Sequence, residues 1–228
     1  MQRIAARSAR PWLYMVTPSI SSSDKLVSMV EKALVGGVNI VQLRNKLFAA
    51  DSAELKAMAV ALRTLTRSYN VPFIINDHVS LALEVGADGA HIGQEDTTIA
   101  DATALIDAEN ATAFLLGVTV RDAAQAALAC KAGAAYLGVG PVYSSSTKQN
   151  ANNGQTIGLD GLRAVVQTAQ EYDVPVVAIG GIDIGRVGPC MATEAAGVAV
   201  VAALSGSADV EAAARALSAA VHQTRREC

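Results

Sequence analysis

Eight short apolar runs, most ending at a polar or glycine residue and most followed by a stretch with helical spacing, recur along the 228 residues of this chain. They fall at 13–17, 39–44, 72–76, 89–93, 114–119, 136–140, 176–179 and 198–201, and are rich in β-branched and aromatic residues. Hydrophobicity that is nearly continuous, rather than alternating, marks strands buried on both faces of a parallel sheet. The stretches between them are rich in alanine. In one, Asp51 and Glu54 have the spacing of a capping box, and Leu55, Met58, Leu62 and Leu65 then share one helical face. Gly36-Gly37, Gly86, Gly133 and Gly197 stand before the next strand, where a left-handed residue closes a helix.

Eight strand–helix units in a chain of this length predict an α/β fold, a single (β/α)8 TIM barrel. An open doubly wound sheet needs fewer strands. Gly138-Val-Gly140 is a poor dinucleotide fingerprint, because Tyr143 stands where the third glycine belongs, and no Walker-type sequence is present. The expected organisation is an N-terminal arm at 1–11, a catalytic barrel at 12–224 and a tail at 225–228. Apolar residues make up 51% of the chain and charged residues 17%, enough for a large core. The apolar runs are too short to span a membrane. A formal net charge of −3 gives no electrostatic case for nucleic acid as a partner, so a phosphorylated substrate needs a local cationic cluster. Cys130, Cys190 and Cys228 lack metal-ligand spacing and read as reduced thiols of a cytoplasmic protein. Arg3, Arg7 and Arg10 without an early acidic residue read as a disordered arm, with an organelle-targeting remnant as the alternative.

The polar strand ends carry the candidate chemistry. Gln42, Arg44 and Lys46 alternate, so extended backbone puts all three on one face at the barrel mouth. Neighbouring cations suit a diphosphate, which arginine can clamp with two hydrogen bonds; a solvated strand end is the alternative. Asn76-Asp77 and Gln94-Glu95-Asp96 end the third and fourth runs. Singly, Asp77 and Asp96 read as helix caps; together, two carboxylates on adjacent strand ends could share Mg2+. The polar run at 144–157 opens Ser144-Ser145-Ser146-Thr147-Lys148 and is long enough to be a functional lid. Gly180-Gly181 follows the seventh run, where such barrels cradle phosphate, or else serves a tight turn. Thr119 is a further donor or part of the cap near Asp122. His78, His91 and His222 show no ligand spacing and take no catalytic role, with His91 read as a satisfied core residue and Tyr136 and Tyr143 as packing residues.

Taken together, these segments resemble the thiamine-phosphate synthase family from about residue 13 to 204. The likeness rests on Gly36-Gly-Val-Asn-Ile-Val-Gln-Leu-Arg-Asn-Lys46, Phe73-Ile-Ile-Asn-Asp77, His91-Ile-Gly-Gln-Glu-Asp96, Gly138-Val-Gly-Pro-Val-Tyr-Ser-Ser-Ser-Thr-Lys148 and Ala178-Ile-Gly-Gly-Ile182, in that order. The resemblance implies a transferase that joins a hydroxymethylpyrimidine diphosphate to a thiazole phosphate and releases pyrophosphate. It assigns Gln42, Arg44, Lys46, Asn76, Thr119 and Lys148 to the pyrimidine diphosphate, with Arg44, Lys46 and Lys148 neutralising the leaving group. It assigns Asp77 and Asp96 to Mg2+, and Ser145, Ser146, Thr147, Gly181, Val201 and Ala202 to the thiazole phosphate. The chain departs from the pattern at Ser144-Ser145, where Thr or Pro-Thr is common, at Thr119 and Ala202, where Ser is usual, and at Asn45, where Glu is usual. Loss of the hydroxyl at Ala202 predicts weaker binding of the thiazole phosphate. The rival readings are a thiazole tautomerase-like barrel, a non-catalytic thiamine-precursor-binding protein and, more distantly, another phosphate-binding barrel of amino-acid biosynthesis. A tautomerase would be expected to carry His after the fifth strand, where Arg121 stands. Oligomeric state is open at this level.

Overall fold

The computed structural model describes residues 11–145 and 154–224. Its eight strands are β1 (Trp12–Val16), β2 (Ile40–Leu43), β3 (Phe73–Asn76), β4 (Gly89–Ile92), β5 (Leu115–Val120), β6 (Tyr136–Val139), β7 (Val176–Ile179) and β8 (Gly197–Val200). All pair in parallel, each with the next in sequence, and β8 returns to β1 to close the barrel. Helices α1 (Ser23–Val35), α2 (Ala53–Ser68), α3 (Val79–Glu84), α4 (Ile99–Ala108), α5 (Ala123–Lys131), α6 (Gly158–Gln170) and α7 (Ile184–Met191) follow the first seven strands, and α8 (Ala202–Ser205) and α9 (Val210–Thr224) follow the eighth. The expected (β/α)8 barrel is the fold, with strand ends within one residue of the sequence reading.

Period two sorts each strand between two cores. Leu13, Met15, Val41, Leu43, Phe73, Ile75, Leu116 and Val118 point outward and pack under the helices. Trp12, Tyr14, Val16, Ile40, Ile74, Leu115, Tyr136, Val177 and Ala199 point inward and fill the barrel. The register preserves that phase: Val16 pairs with Gln42, His91 with Gly117, Thr119 with Gly138 and Tyr14 with Ala199. Gly117 and Gly138 belong to the inward set. A methyl group at Gly117 would strike the Tyr136 ring, and one at Gly138 the His91 ring. The two glycines thus make the room in which those rings cross the barrel.

Helix ends refine two sequence expectations. Ser52, not Asp51, caps α2, accepting from Leu55 N at 3.2 Å. The helix itself buries Leu55, Met58 and Leu62 as the spacing requires. Left-handed residues at the helix-to-strand turns are Gly37, Asn70, Gly86, Asn110, Gly133, Asp173 and Glu194. Gly36 and Gly197 do not take that role: Gly36 has φ −76°, and Gly197 starts β8 with its Cα against the Trp12 carbonyl, where no side chain fits. Residues 1–10 of the expected arm and the tail at 225–228 lie outside the described residues. Pro11, also assigned to the arm, is buried, and its carbonyl accepts from Asn39 Nδ2 at 3.0 Å.

Candidate active site

Two adjoining cavities open at the C-terminal ends of the strands, one of about 170 Å3 inside the barrel mouth and one of about 270 Å3 beside it. Arg44, Asn76, His91, Thr119 and Arg121 line both and form their common border.

The inner cavity has apolar walls, including Val16, Val177, Ile179, Ala199 and Val201, over a polar floor. Gln42 Nε2 donates to the Tyr14 hydroxyl at 2.7 Å. The Tyr14 and Tyr136 hydroxyls are 2.8 Å apart, Tyr136 lies 3.0 Å from His91 Nδ1, and His91 Nε2 lies 2.9 Å from Thr119 Oγ1. One hydrogen-bonded chain therefore crosses the barrel through residues of β2, β1, β6, β4 and β5. A neutral His91 protonated at Nε2 would run every link in one sense, from the Gln42 amide to Thr119. Burial holds both phenols well above their ordinary pKa, so they act as neutral donors and acceptors.

Charge gathers in the outer cavity. Arg44 reaches it from just past β2, and Arg121 from just past β5; neither guanidinium has an ion pair among the described residues. Asp77 follows β3 with φ 65°, and its amide donates to the His91 carbonyl at 2.8 Å. Lys46 Nζ donates to Asp77 Oδ2. Asp96 Oδ2 accepts from Gly93 N at 2.8 Å. Partial desolvation and the adjoining Asp77 carboxyl, to which it hydrogen-bonds, raise the pKa of Asp96. Two carboxylates this close repel unless a cation lies between them. They are hard oxygen donors, the kind Mg2+ prefers, and Mg2+ commonly takes one or two carboxylates and completes its shell with phosphate and water. No group of three or more His, Cys, Asp or Glu among the described residues could hold a metal unaided.

The far rim of the inner cavity is the turn after β7. Gly180 and Gly181 have φ 101° and 63°, and the Tyr143 amide donates to the Gly180 carbonyl at 3.0 Å. A side chain at Gly181 would collide with the Ser144 carbonyl, so the close approach of the two loops requires glycine there.

The sequence-assigned residues divide clearly. Gln42, Arg44, Asn76, Thr119, Ser145, Gly181 and Val201 line the inner cavity, and Lys46, Asp77 and Asp96 the outer one. Ala202, exposed at the start of α8, directly follows Val201 but lines neither. Ser146, Thr147 and Lys148 lie outside the described residues, as does most of the expected lid. Tyr14, His91, Tyr136 and Arg121 join the site although nothing in the sequence alone marks them as its members. His91 is satisfied by hydrogen bonds as expected, while Tyr136, expected only to pack, is hydrogen-bonded too; both also line a cavity, so neither is only a packing residue. Extending the inward phase of Gln42 across the barrel register would have found Tyr14.

A family model described as thiamine monophosphate synthase matches residues 13–204. The chain is 42% identical over 216 residues to thiamine-phosphate synthase of Chloroflexus aurantiacus, covering 94% of each protein. It is 38% identical over 228 residues to that of Geobacillus kaustophilus, covering 99% of each. Among solved structures it is similar to thiamine phosphate pyrophosphorylase from Pyrococcus furiosus, with a TM-score of 0.80, 34% identity and coverage of 94% of this chain and 96% of that one. A likeness to 3-hexulose-6-phosphate synthase, at 19% identity and a TM-score of 0.67, shows the barrel alone.

Proposed function

The chain belongs to the thiamine monophosphate synthase family, and from that premise we propose how its barrel mouth works. Its activity is that of a thiamine-phosphate synthase, a transferase of thiamine biosynthesis. The substrates we assign are 4-amino-2-methyl-5-hydroxymethylpyrimidine diphosphate and 4-methyl-5-(2-phosphoethyl)thiazole, and the products are thiamine phosphate and pyrophosphate. The observation that carries this reading is the shared border of the two cavities. An apolar slot with a hydrogen-bonding floor suits a flat aminopyrimidine, and the charged cavity adjoining it suits the diphosphate on the same molecule.

In this reading Gln42 and the phenols beneath it orient the ring, and Asn76 and Thr119 line the passage to the diphosphate. The carbon–oxygen bond to the leaving group breaks and its electron pair goes to pyrophosphate. Arg44, Arg121 and Lys46 stand where that charge accumulates, and Lys148 is assigned there by resemblance. Asp77 and Asp96 would hold Mg2+, which when bound supplies further charge neutralisation to the diphosphate. The aminopyrimidine stabilises its own methylene cation, and the thiazole nitrogen donates its lone pair to form the new carbon–nitrogen bond. Ser145, Gly181 and Val201, with Ser146, Thr147 and Ala202, would surround the thiazole phosphate. Holding both reactants in line removes much of the entropic barrier.

Residues 12–224 are the proposed catalytic unit. Its partners are these small molecules, and free Cys130 and Cys190 fit a cytoplasmic enzyme. The tautomerase-like alternative lacks its imidazole, since Arg121 follows β5. The test is incubation of the purified protein with both substrates and Mg2+, reading thiamine phosphate and pyrophosphate. Equal amounts of the two are expected; no thiamine phosphate at any Mg2+ concentration would overturn the reading.

A further inference from the structure

Arg186, on α7 and outside the lining of both cavities, makes contacts that the proposed reaction does not use. Its Nη1 donates to the Gly181 carbonyl at 2.6 Å, and its guanidinium carbon lies 4.8 Å from the centroid of the Tyr143 ring. Its Nε is 3.7 Å from the Asp183 carboxylate, which helps hold the side chain over the turn. Tyr143 in turn is fixed at both ends: its amide donates to the Gly180 carbonyl at 3.0 Å, and its hydroxyl is hydrogen-bonded to the Cys190 thiol on α7. One side chain therefore joins the glycine turn after β7 to the segment that leaves β6.

The consequence lies in the peptide after Gly181. A trans peptide is planar, so its carbonyl and the following N–H point in opposite directions. A donor that fixes the Gly181 carbonyl therefore fixes the Ile182 N–H on the opposite side. Gly181, at φ 63°, has no side chain to restrain it, and glycine is the residue most free to rotate. A turn built from two consecutive glycines needs an outside restraint if its amides are to meet an anion in one orientation. An arginine stacked on an aromatic ring while donating to a carbonyl supplies that restraint with little mobility of its own.

We propose that Arg186 is a positioning residue for the thiazole-phosphate turn, locking Gly180–Gly181–Ile182 and clamping it to Tyr143. The proposal rests on the reading that Gly181 receives that phosphate. It acts mainly on one substrate, because Gly180 and Gly181 line the inner cavity alone and take no part in the diphosphate cavity.

The experiment compares Arg186→Ala and Arg186→Lys with the parent, measuring both KM values, kcat and the thermal midpoint. Loss of a charge-assisted hydrogen bond that orders the turn is expected to raise the thiazole-phosphate KM by about tenfold in Arg186→Ala. The pyrimidine-diphosphate KM should stay within about twofold of the parent value. Lysine can donate to the carbonyl but lacks the planar stack, so Arg186→Lys should fall between the two. In Tyr143→Ala the same KM should rise, and adding Arg186→Ala should raise it by less than the product of the two single effects. An unchanged thiazole-phosphate KM, or a parallel rise in both KM values with a lowered thermal midpoint, overturns the proposal. A parent enzyme that makes no thiamine phosphate would instead overturn the functional reading beneath it.

Discussion

The hydroxyls of Tyr14 and Tyr136 meet 2.8 Å apart at the centre of the barrel, where β1 and β6 face each other across the interior. Neither oxygen is idle, since Gln42 donates to the first and His91 Nδ1 contacts the second. The floor of the cavity is thus one network, and its middle member is the one whose loss should be felt on both sides. Tyr136→Phe keeps the ring between Gly117 and its neighbours but leaves Tyr14 and His91 each short of a partner. Unsatisfied buried polar groups cost about 1–3 kcal/mol each, so the denaturation midpoint should fall measurably. The KM for the pyrimidine diphosphate should rise, while that for the thiazole phosphate should hold. A variant as stable as the parent would show that the chain is not held as one network.

Arg121 borders both cavities without an ion pair among the described residues, as Arg44 does. Lys46 differs, because Asp77 already holds it. Arg121→Ala should therefore raise the pyrimidine-diphosphate KM by roughly tenfold, in line with loss of one charge-assisted contact. Its effect should shrink as salt is raised, since part of the attraction is screened. Steady-state kinetics at low and high ionic strength would check both statements, and a KM equal to that of the parent would remove Arg121 from the diphosphate set.

How much of this could be read beforehand depends on what kind of signal each residue leaves. The barrel was legible because strands buried on both faces give continuous apolar runs, and Arg44, Asp77 and Asp96 stand out as charges ending such runs. Tyr14, His91 and Tyr136 lie inside the runs, where a polar tip on an apolar body looks like core. Only the closed register shows that they share the inward phase of Gln42. Local rules failed where two residues could serve one end. Ser52 caps α2 although Asp51 is beside it, and Glu194 takes the left-handed position that Gly197, held against Trp12, cannot. Arg121 was legible as a residue and not as a ligand, because it lies one residue beyond β5, where a strand's phase no longer says which way a side chain turns.

Ala202 begins the short α8 helix immediately after Val201, which lines the inner cavity. A hydroxyl at this point would add a donor to the thiazole-phosphate end without displacing a packed group, since Ala202 is exposed. Ala202→Ser should lower the thiazole-phosphate KM by a few-fold, the gain of about one modest hydrogen bond. The pyrimidine-diphosphate KM should not move. An unchanged thiazole-phosphate KM would sink the expectation that this alanine weakens the site.

Cys190 is fully buried on α7, and burial pushes its thiol up to about 11, with the Tyr143 hydroxyl partly opposing the shift. Unfolded, the thiol would ionise near 9. Between those values the unfolded chain has lost a proton that the folded chain keeps, so stability falls as pH rises. Below pH 9 this contribution is complete. The denaturation midpoint should therefore be flat in this respect up to about pH 9 and decline above it, and Cys190→Ala should decline less steeply. Alkylation of the native protein at pH 8 should spare Cys190 until unfolding exposes it, because the thiol is both protonated and inaccessible. Rapid labelling of Cys190 in folded protein would contradict this.

Asp96 and Asp77 set a cost against a use at one place. Their carboxyls adjoin, and the pKa of Asp96 is raised by desolvation and by Asp77, with the Gly93 amide and Lys46 opposing only part of the shift, so its ionised form is disfavoured without a metal ion. Asp96→Asn removes that repulsion and keeps an oxygen that can accept from Gly93 N, as Asp96 Oδ2 does at 2.8 Å. Without Mg2+ the variant should be at least as stable as the parent. With substrates present it should need far more Mg2+. Disturbing even the groups behind a metal ligand typically costs roughly 10–100-fold in affinity, so loss of a ligand's charge should raise the half-saturating Mg2+ by about tenfold or more. Metal titration of the rate, beside thermal unfolding in EDTA, reads the two effects separately. A variant that is destabilised in EDTA yet keeps the parent's Mg2+ requirement would mean that the carboxylate holds the Gly93 loop and not the metal.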